Sequence, residues 1–180
     1  MNKLNKIAAG IALTSTLIAG QAFAADQGTL GATSTGKSDI TLTIADQVQI
    51  TGVDDIVLGT FDGTTALNGS TSFCVYTNGA GDYQMTLTES ISSAFVASSV
   101  ATGDTVPFSV KVDNSNSADP AGASALAYNT PSSAYAGSDE LDCGASENAS
   151  IYVEFSAADL RTAGTATDYK ATVVVLVEPV

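Results

Sequence analysis

From Ile40 onward, the apolar residues of this 180-residue chain recur at every second position. Ile40, Leu42 and Ile44 alternate with Thr41 and Thr43, and Val48 and Ile50 resume that parity after Asp46. Ile56-Val57-Leu58 precedes Gly59, and Phe73 and Val75 flank Cys74. Tyr83, Met85 and Leu87 follow, then Phe108, Val110 and Val112, then Ile151, Val153 and Phe155. The longest run is Tyr169, Ala171, Val173, Val175 and Val177, where Val174 and Leu176 make the centre apolar on both faces. A period of two predicts half-buried strands. Clusters such as Thr77-Asn78-Gly79-Ala80-Gly81 and the stretch from Asn114 to Pro120 predict the turns between them. Helix signals are almost absent; the single candidate is one turn over Ser156–Leu160, with Ser156 as its cap. The stretch from Ala118 to Gly144 has little periodicity and reads as a long surface loop, with one short strand near Leu126-Ala127-Tyr128. Seven or so short strands with turn-rich connections predict an all-β fold, an immunoglobulin-like β-sandwich. A small closed barrel is the competing architecture.

The first residues have the pattern of a leader. Lys3 and Lys6 precede an apolar run from Ile7 to Gly20, and Ala22-Phe23-Ala24 offers a small-x-small cleavage site, as in a secretory signal peptide over 1–24. That leader predicts export through the periplasm, to the cell surface or beyond. Removing it takes away two of the six Lys and Arg and none of the 19 acids, so the net charge becomes 4 − 19 = −15. The four remaining cations (Lys37, Lys111, Arg161 and Lys170) are scattered, which argues against a nucleic-acid partner. No later stretch is long enough for an apolar membrane helix. The chain has no histidine, which removes Ser-His-Asp and Cys-His catalysis and most zinc sites. Its two cysteines, Cys74 and Cys143, are expected to pair in an oxidising compartment.

Residues 25–45 form a polar extension that ends in the sharply alternating Ile40–Ile44, ahead of a domain over 46–180. The segment reads either as the first strand of the sandwich or as a detachable strand from about Gly36 to Ile44, donated to a groove on another copy. Asp46 lies in the register of Ile44 and Val48, where an unpaired charge cannot continue a buried face, so the chain is expected to bend or change sheet there.

Gly36-Lys37-Ser38-Asp39-Ile40-Thr41-Leu42-Thr43-Ile44, followed by Val48-Gln49-Ile50-Thr51-Gly52, resembles the N-terminus of archaic chaperone–usher pilin subunits, which carry the spore-coat-protein-U-like domain. Ile56–Phe61, the passage from Gly69 to Cys74 leading into Asp82–Leu87, and the ending from Ala163 to Val177 are similar to successive pieces of that family. The family commonly places a cysteine just after its N-terminal strand, where this chain has Gln47, Val48 and Gln49. The resemblance implies an incomplete immunoglobulin-like sandwich, missing its last strand. It implies Ile40, Leu42 and Ile44 as donor side chains, and Tyr169, Val173, Val175 and Val177 as lining of the acceptor groove. The implied partners are other copies of itself or related pilins, a periplasmic chaperone and an outer-membrane usher. The implied function is that of a structural subunit of a surface pilus, polymerised by donor-strand exchange and supporting adhesion or biofilm formation. With Glu178-Pro179-Val180 after the last apolar run, that strand's edge is expected to lack a following strand of its own to cover it.

Two other classes compete with this one. An enzyme would need paired carboxylates such as those of Asp139-Glu140-Leu141-Asp142, yet scattered acids also serve to keep a low-lysine protein soluble. No catalytic residue, cofactor or metal site is expected, since Asp54-Asp55 and Asp139-Glu140-Asp142 lack calcium-loop spacing. A secreted carbohydrate-binding or coat protein that does not polymerise is the alternative, with Tyr76, Tyr128 and Tyr135 as a possible sugar platform.

Overall fold

The computed structural model describes residues 25–180, so the predicted leader lies outside the described residues. The chain divides into a unit ending at Ile44 and a second unit, Ala45–Val180. In the first, Asp26 and Lys37 exchange main-chain hydrogen bonds of 3.0 and 2.9 Å that close a loop. Residues 38–44 that follow form no ladder, although alternation predicted a strand there. A strand needs a neighbour for its N–H and C=O groups, and none pairs with this segment among the described residues. Ile40, Leu42 and Ile44 are 94%, 79% and 72% exposed.

The second unit contains ten strands and one helix. The strands are β1 (Val48–Thr51), β2 (Leu67–Thr77), β3 (Asp82–Glu89), β4 (Val96–Ser98), β5 (Thr105–Pro107), β6 (Ser109–Asp113), β7 (Ser124–Ala125), β8 (Tyr135–Ala136), β9 (Ala149–Phe155) and β10 (Val173–Pro179). Helix α1 (Ala157–Thr162) lies between β9 and β10, and the Ser156 hydroxyl caps it by accepting the Asp159 N–H. One antiparallel sheet runs β1-β2-β9-β6-β7, another runs β10-β3-β8, and β4 and β5 form a separate hairpin.

Phe73 and Val75 of β2, Val110 and Val112 of β6, and Ile151 and Val153 of β9 meet Tyr83, Met85 and Leu87 of β3 in one core. These are the alternate residues of each strand, so both sheets turn their apolar faces inward and make an all-β sandwich. Each such fully buried side chain contributes about 1.5–3 kcal/mol relative to exposure. Ile56-Val57-Leu58, expected as a strand, joins no ladder. Ile56 and Leu58 instead pack on the core where Gly69 of β2 leaves room, since a Cβ there would lie 2.6 Å from Ile56 and 2.8 Å from Leu58. The expected strand at Leu126–Tyr128 is displaced to Ser124–Ala125, while Leu126 and Tyr128 pack against the core.

Cys74 and Cys143 form a disulfide with Cα atoms 5.7 Å apart, which ties the turn at 143–145 to β2. Cys143 and Ala145 take φ of +53° and +62°, a costly left-handed backbone for side-chain-bearing residues that the surrounding structure must hold in place.

Candidate functional site

The unusual place in this sandwich is the edge strand β10. Its Val-rich sequence suits a pleated, half-buried surface. It pairs antiparallel with β3, with Val173 opposite Glu89, Val175 opposite Leu87 and Val177 opposite Met85. The Ser90 N–H donates to the Thr172 carbonyl at 3.0 Å, and the Val180 N–H to the Asp82 carbonyl at 3.1 Å. In an antiparallel pair, hydrogen-bonded and non-bonded positions alternate. The even-numbered residues of β10 therefore bond to β3, and the N–H and C=O groups of Val173, Val175 and Val177 point to the opposite edge. No strand pairs with that edge among the described residues. The same three residues turn their half-buried side chains onto the core. Backbone hydrogen-bonding capacity and apolar surface are thus open along one line.

The other border of this opening is β1. Among the described residues it pairs only with β2, and the Asn78 N–H donates to the Gln47 carbonyl at 3.2 Å, just beyond the ladder. By the same alternation the backbone groups of Val48 and Ile50 face away from β2. β1 and β10 approach within 8 Å, Cα to Cα, without hydrogen bonding to each other. Ile50 of β1 and Ala171, just before β10, are half-buried against the core, as are Ile56 and Leu58.

Of the four residues expected to line an acceptor groove, Val173, Val175 and Val177 lie together on the core side of β10. Tyr169 precedes the strand and lies outside that apolar cluster, its hydroxyl donating to the Gly164 carbonyl at 2.9 Å. Ala171 takes the equivalent place in the row. Val174 and Leu176 face outward, 45% and 52% exposed.

A buried acid fixes the start of β10. Glu89 continues the inward parity of Tyr83, Met85 and Leu87 and is buried. Its carboxylate accepts the N–H of Ile91 at 2.8 Å, of Ser92 at 2.5 Å and of Thr172 at 3.1 Å. Burial pushes the Glu89 carboxyl up, but the Thr172, Ile91, Ser92 and Ser90 N–H groups outweigh it and hold the carboxyl below its ordinary value. An acid in core parity was the available signal.

Two of the three tyrosines named for a sugar platform pack against aromatic neighbours. Tyr128 stacks edge-on against Phe95 at 5.3 Å and donates its hydroxyl to the Ser92 carbonyl at 2.8 Å. Tyr135 lies 6.1 Å from the buried Tyr83, and Tyr76 is on β2 in the other sheet. Among the described residues no three His, Cys, Asp or Glu side chains gather as metal ligands, and no helix is long and apolar enough to cross a membrane.

No protein-family model matches the chain. No curated protein matches it either. Among solved structures, one similar chain is in the CsuC–CsuE chaperone–tip adhesion subunit pre-assembly complex from archaic chaperone-usher Csu pili of Acinetobacter baumannii. Identity is 12% and the TM-score 0.44, over 84% of this chain and 48% of that one. The chain spans about half the length of that relative, and so distant a likeness carries no functional argument.

Proposed function

We propose that this chain is a structural subunit of a surface pilus, assembled by donating residues 36–44 of one copy to the open edge of β10 in the next. The observation that carries the reading is the coincidence along β10: Val173, Val175 and Val177 each present an unpaired backbone edge and a half-buried apolar side chain. An incoming strand with apolar residues at every second position answers both needs, since its main chain completes the ladder and its side chains fill the gap. Ile40, Leu42 and Ile44 have that spacing and are exposed. An open, hydrophobic edge is an aggregation hazard in an exported protein, so a periplasmic chaperone would cover it before an outer-membrane usher exchanges it for the next subunit. Head-to-tail contacts of this kind do not close, and they give a filament. The filament would serve adhesion or biofilm formation at the cell surface, with no catalytic role for the chain.

The test uses the Leu42→Asp monomer, whose own segment cannot donate and whose groove is intact. A synthetic peptide of residues 36–44 should bind it. The same peptide carrying Leu42→Asp should bind at least about thirtyfold more weakly, the equivalent of about 2 kcal/mol for one buried leucine. Equal binding of the two peptides, or none, overturns the reading.

A further inference from the structure

We infer that Asn78 prevents residues 36–44 from folding back onto their own sandwich, and so reserves them for a second copy. The inference rests on the donor-strand reading and adds the residue that decides between self-filling and exchange. The nearest partner for Ile40–Ile44 is the open edge of β1, because only Ala45, Asp46 and Gln47 intervene before Val48. Three residues are a common hairpin loop length, and a strand returning there would occupy the gap between β1 and β10. Two features oppose that return.

The first is composition. Three-residue hairpin loops take a left-handed residue, usually glycine; Ala45-Asp46-Gln47 has no glycine, and Asp46 is its one residue type that adopts that conformation with any frequency. The second is Asn78 itself. After Thr77 the main chain leaves β2 for the turn at Asn78–Ala80, with Gly79 at φ +74°. The side chain of Asn78 then continues the ladder in place of the backbone. Its Oδ1 accepts the Gln47 N–H at 2.8 Å, its Nδ2 donates to the Ala45 carbonyl at 2.9 Å, and its own N–H donates to the Gln47 carbonyl. The two amide bonds bracket Asp46, the residue at which a hairpin would have to turn. A return would rotate the peptides on either side of Asp46 and break both bonds. Asn78 is therefore a positioning residue that acts on the path of the chain.

The test compares the exported full chain with its Asn78→Ala variant by unboiled denaturing gel. The wild type should run as a ladder, and Asn78→Ala should raise the share of monomer about tenfold, the effect of losing two hydrogen bonds of ordinary strength. That variant monomer should also melt at a higher temperature than the Leu42→Asp monomer and refuse the 36–44 peptide, because its groove is filled by its own strand. A merely structural role for Asn78 would lower the melting temperature instead. An Asn78→Ala ladder as full as the wild type's, or a variant monomer that melts lower and still takes the peptide, overturns the inference. If Asn78→Ala does not fold, Asn78→Asp decides: it keeps the acceptor for Gln47 and loses the donor to Ala45, and an unchanged monomer share overturns the inference. A wild-type chain that gives no ladder defeats the donor-strand reading instead, and is told apart by needing no variant.

Discussion

The Glu89 carboxylate accepts the main-chain N–H of Thr172 at 3.1 Å, and so ties the residue before β10 to the end of β3. In a regular ladder the Thr172 N–H would find the Ser90 carbonyl; here a buried side chain substitutes for the backbone, as Asn78 does beside β1. Both borders of the opening are thus set by one side chain that continues a ladder after the main chain has left it.

Acid should loosen the first of these borders. Glu89 has its carboxyl held below the ordinary value of 4.5, so the charged form is favoured in the folded state. Its contribution is fully present above about 4.5 and is lost as pH falls through the lower, folded-state value. Thermal melts at stepped pH should be flat near neutrality and fall on acidification. In Glu89→Gln the neutral-pH stability should drop by about 1–3 kcal/mol, because one of the two accepting oxygens becomes an NH2 donor that faces N–H groups, and the acid slope should flatten. An acid slope as steep in Glu89→Gln as in the parent would assign it to other carboxylates, such as Asp168, which the Ser99 hydroxyl and then the Ala101 N–H hold low.

Leu42→Asp should abolish polymerisation and leave the melting temperature of the isolated monomer unchanged, since Leu42 is 79% exposed. Calorimetry of the variant checks this. Unfolding on substitution would mean that Leu42 belongs to its own core.

On the receiving side, Val175→Asp should fold and fail to accept the 36–44 peptide. Val175 sits at the centre of β10, opposite Leu87, and a carboxylate there cannot be buried by an incoming apolar strand without a partner. Isothermal titration with the peptide reads the effect, and undiminished binding would remove β10 from the site.

Cys143→Ser should lower the stability of the subunit by up to about 4 kcal/mol, the chain-entropy figure for a loop of this length. Thiol titration should find one free sulfhydryl in the variant and none in the unreduced parent, where Cys74 and Cys143 are bonded. Released from β2, the left-handed turn at Cys143 and Ala145 should gain hydrogen-exchange rate before the rest of the sandwich does.

Much of this architecture is legible in the alternation. Tyr83, Met85 and Leu87 declare an inward face on any pairing, and so do Val110 and Val112, because a period of two leaves only one way to bury them. The cap at Ser156 is equally local, a hydroxyl three residues before the Asp159 N–H it accepts. What the pattern could not supply is partnership. Ile40–Ile44 alternates as cleanly as β3 yet joins no ladder, since the pattern describes a strand and not its neighbour. Ile56 and Leu58 pack without pairing where a glycine of β2, Gly69, makes space for them. Tyr169 keeps the parity of the β10 row, but its hydroxyl donates to a local carbonyl at Gly164, five residues back. The roles of Asn78 and Glu89 depend on which backbone groups around them lack partners, and beyond the core parity of Glu89 a lone amide in a turn and a lone acid at a strand end do not declare that.

The most direct measurement is a denaturing gel of protein sheared from the surface of cells that make this chain, run with and without boiling. Strand donation predicts a ladder of multiples in the unboiled lane that collapses to a single band on boiling, because each junction is a non-covalent strand completing a sandwich. One band at the monomer position in both lanes would contradict it.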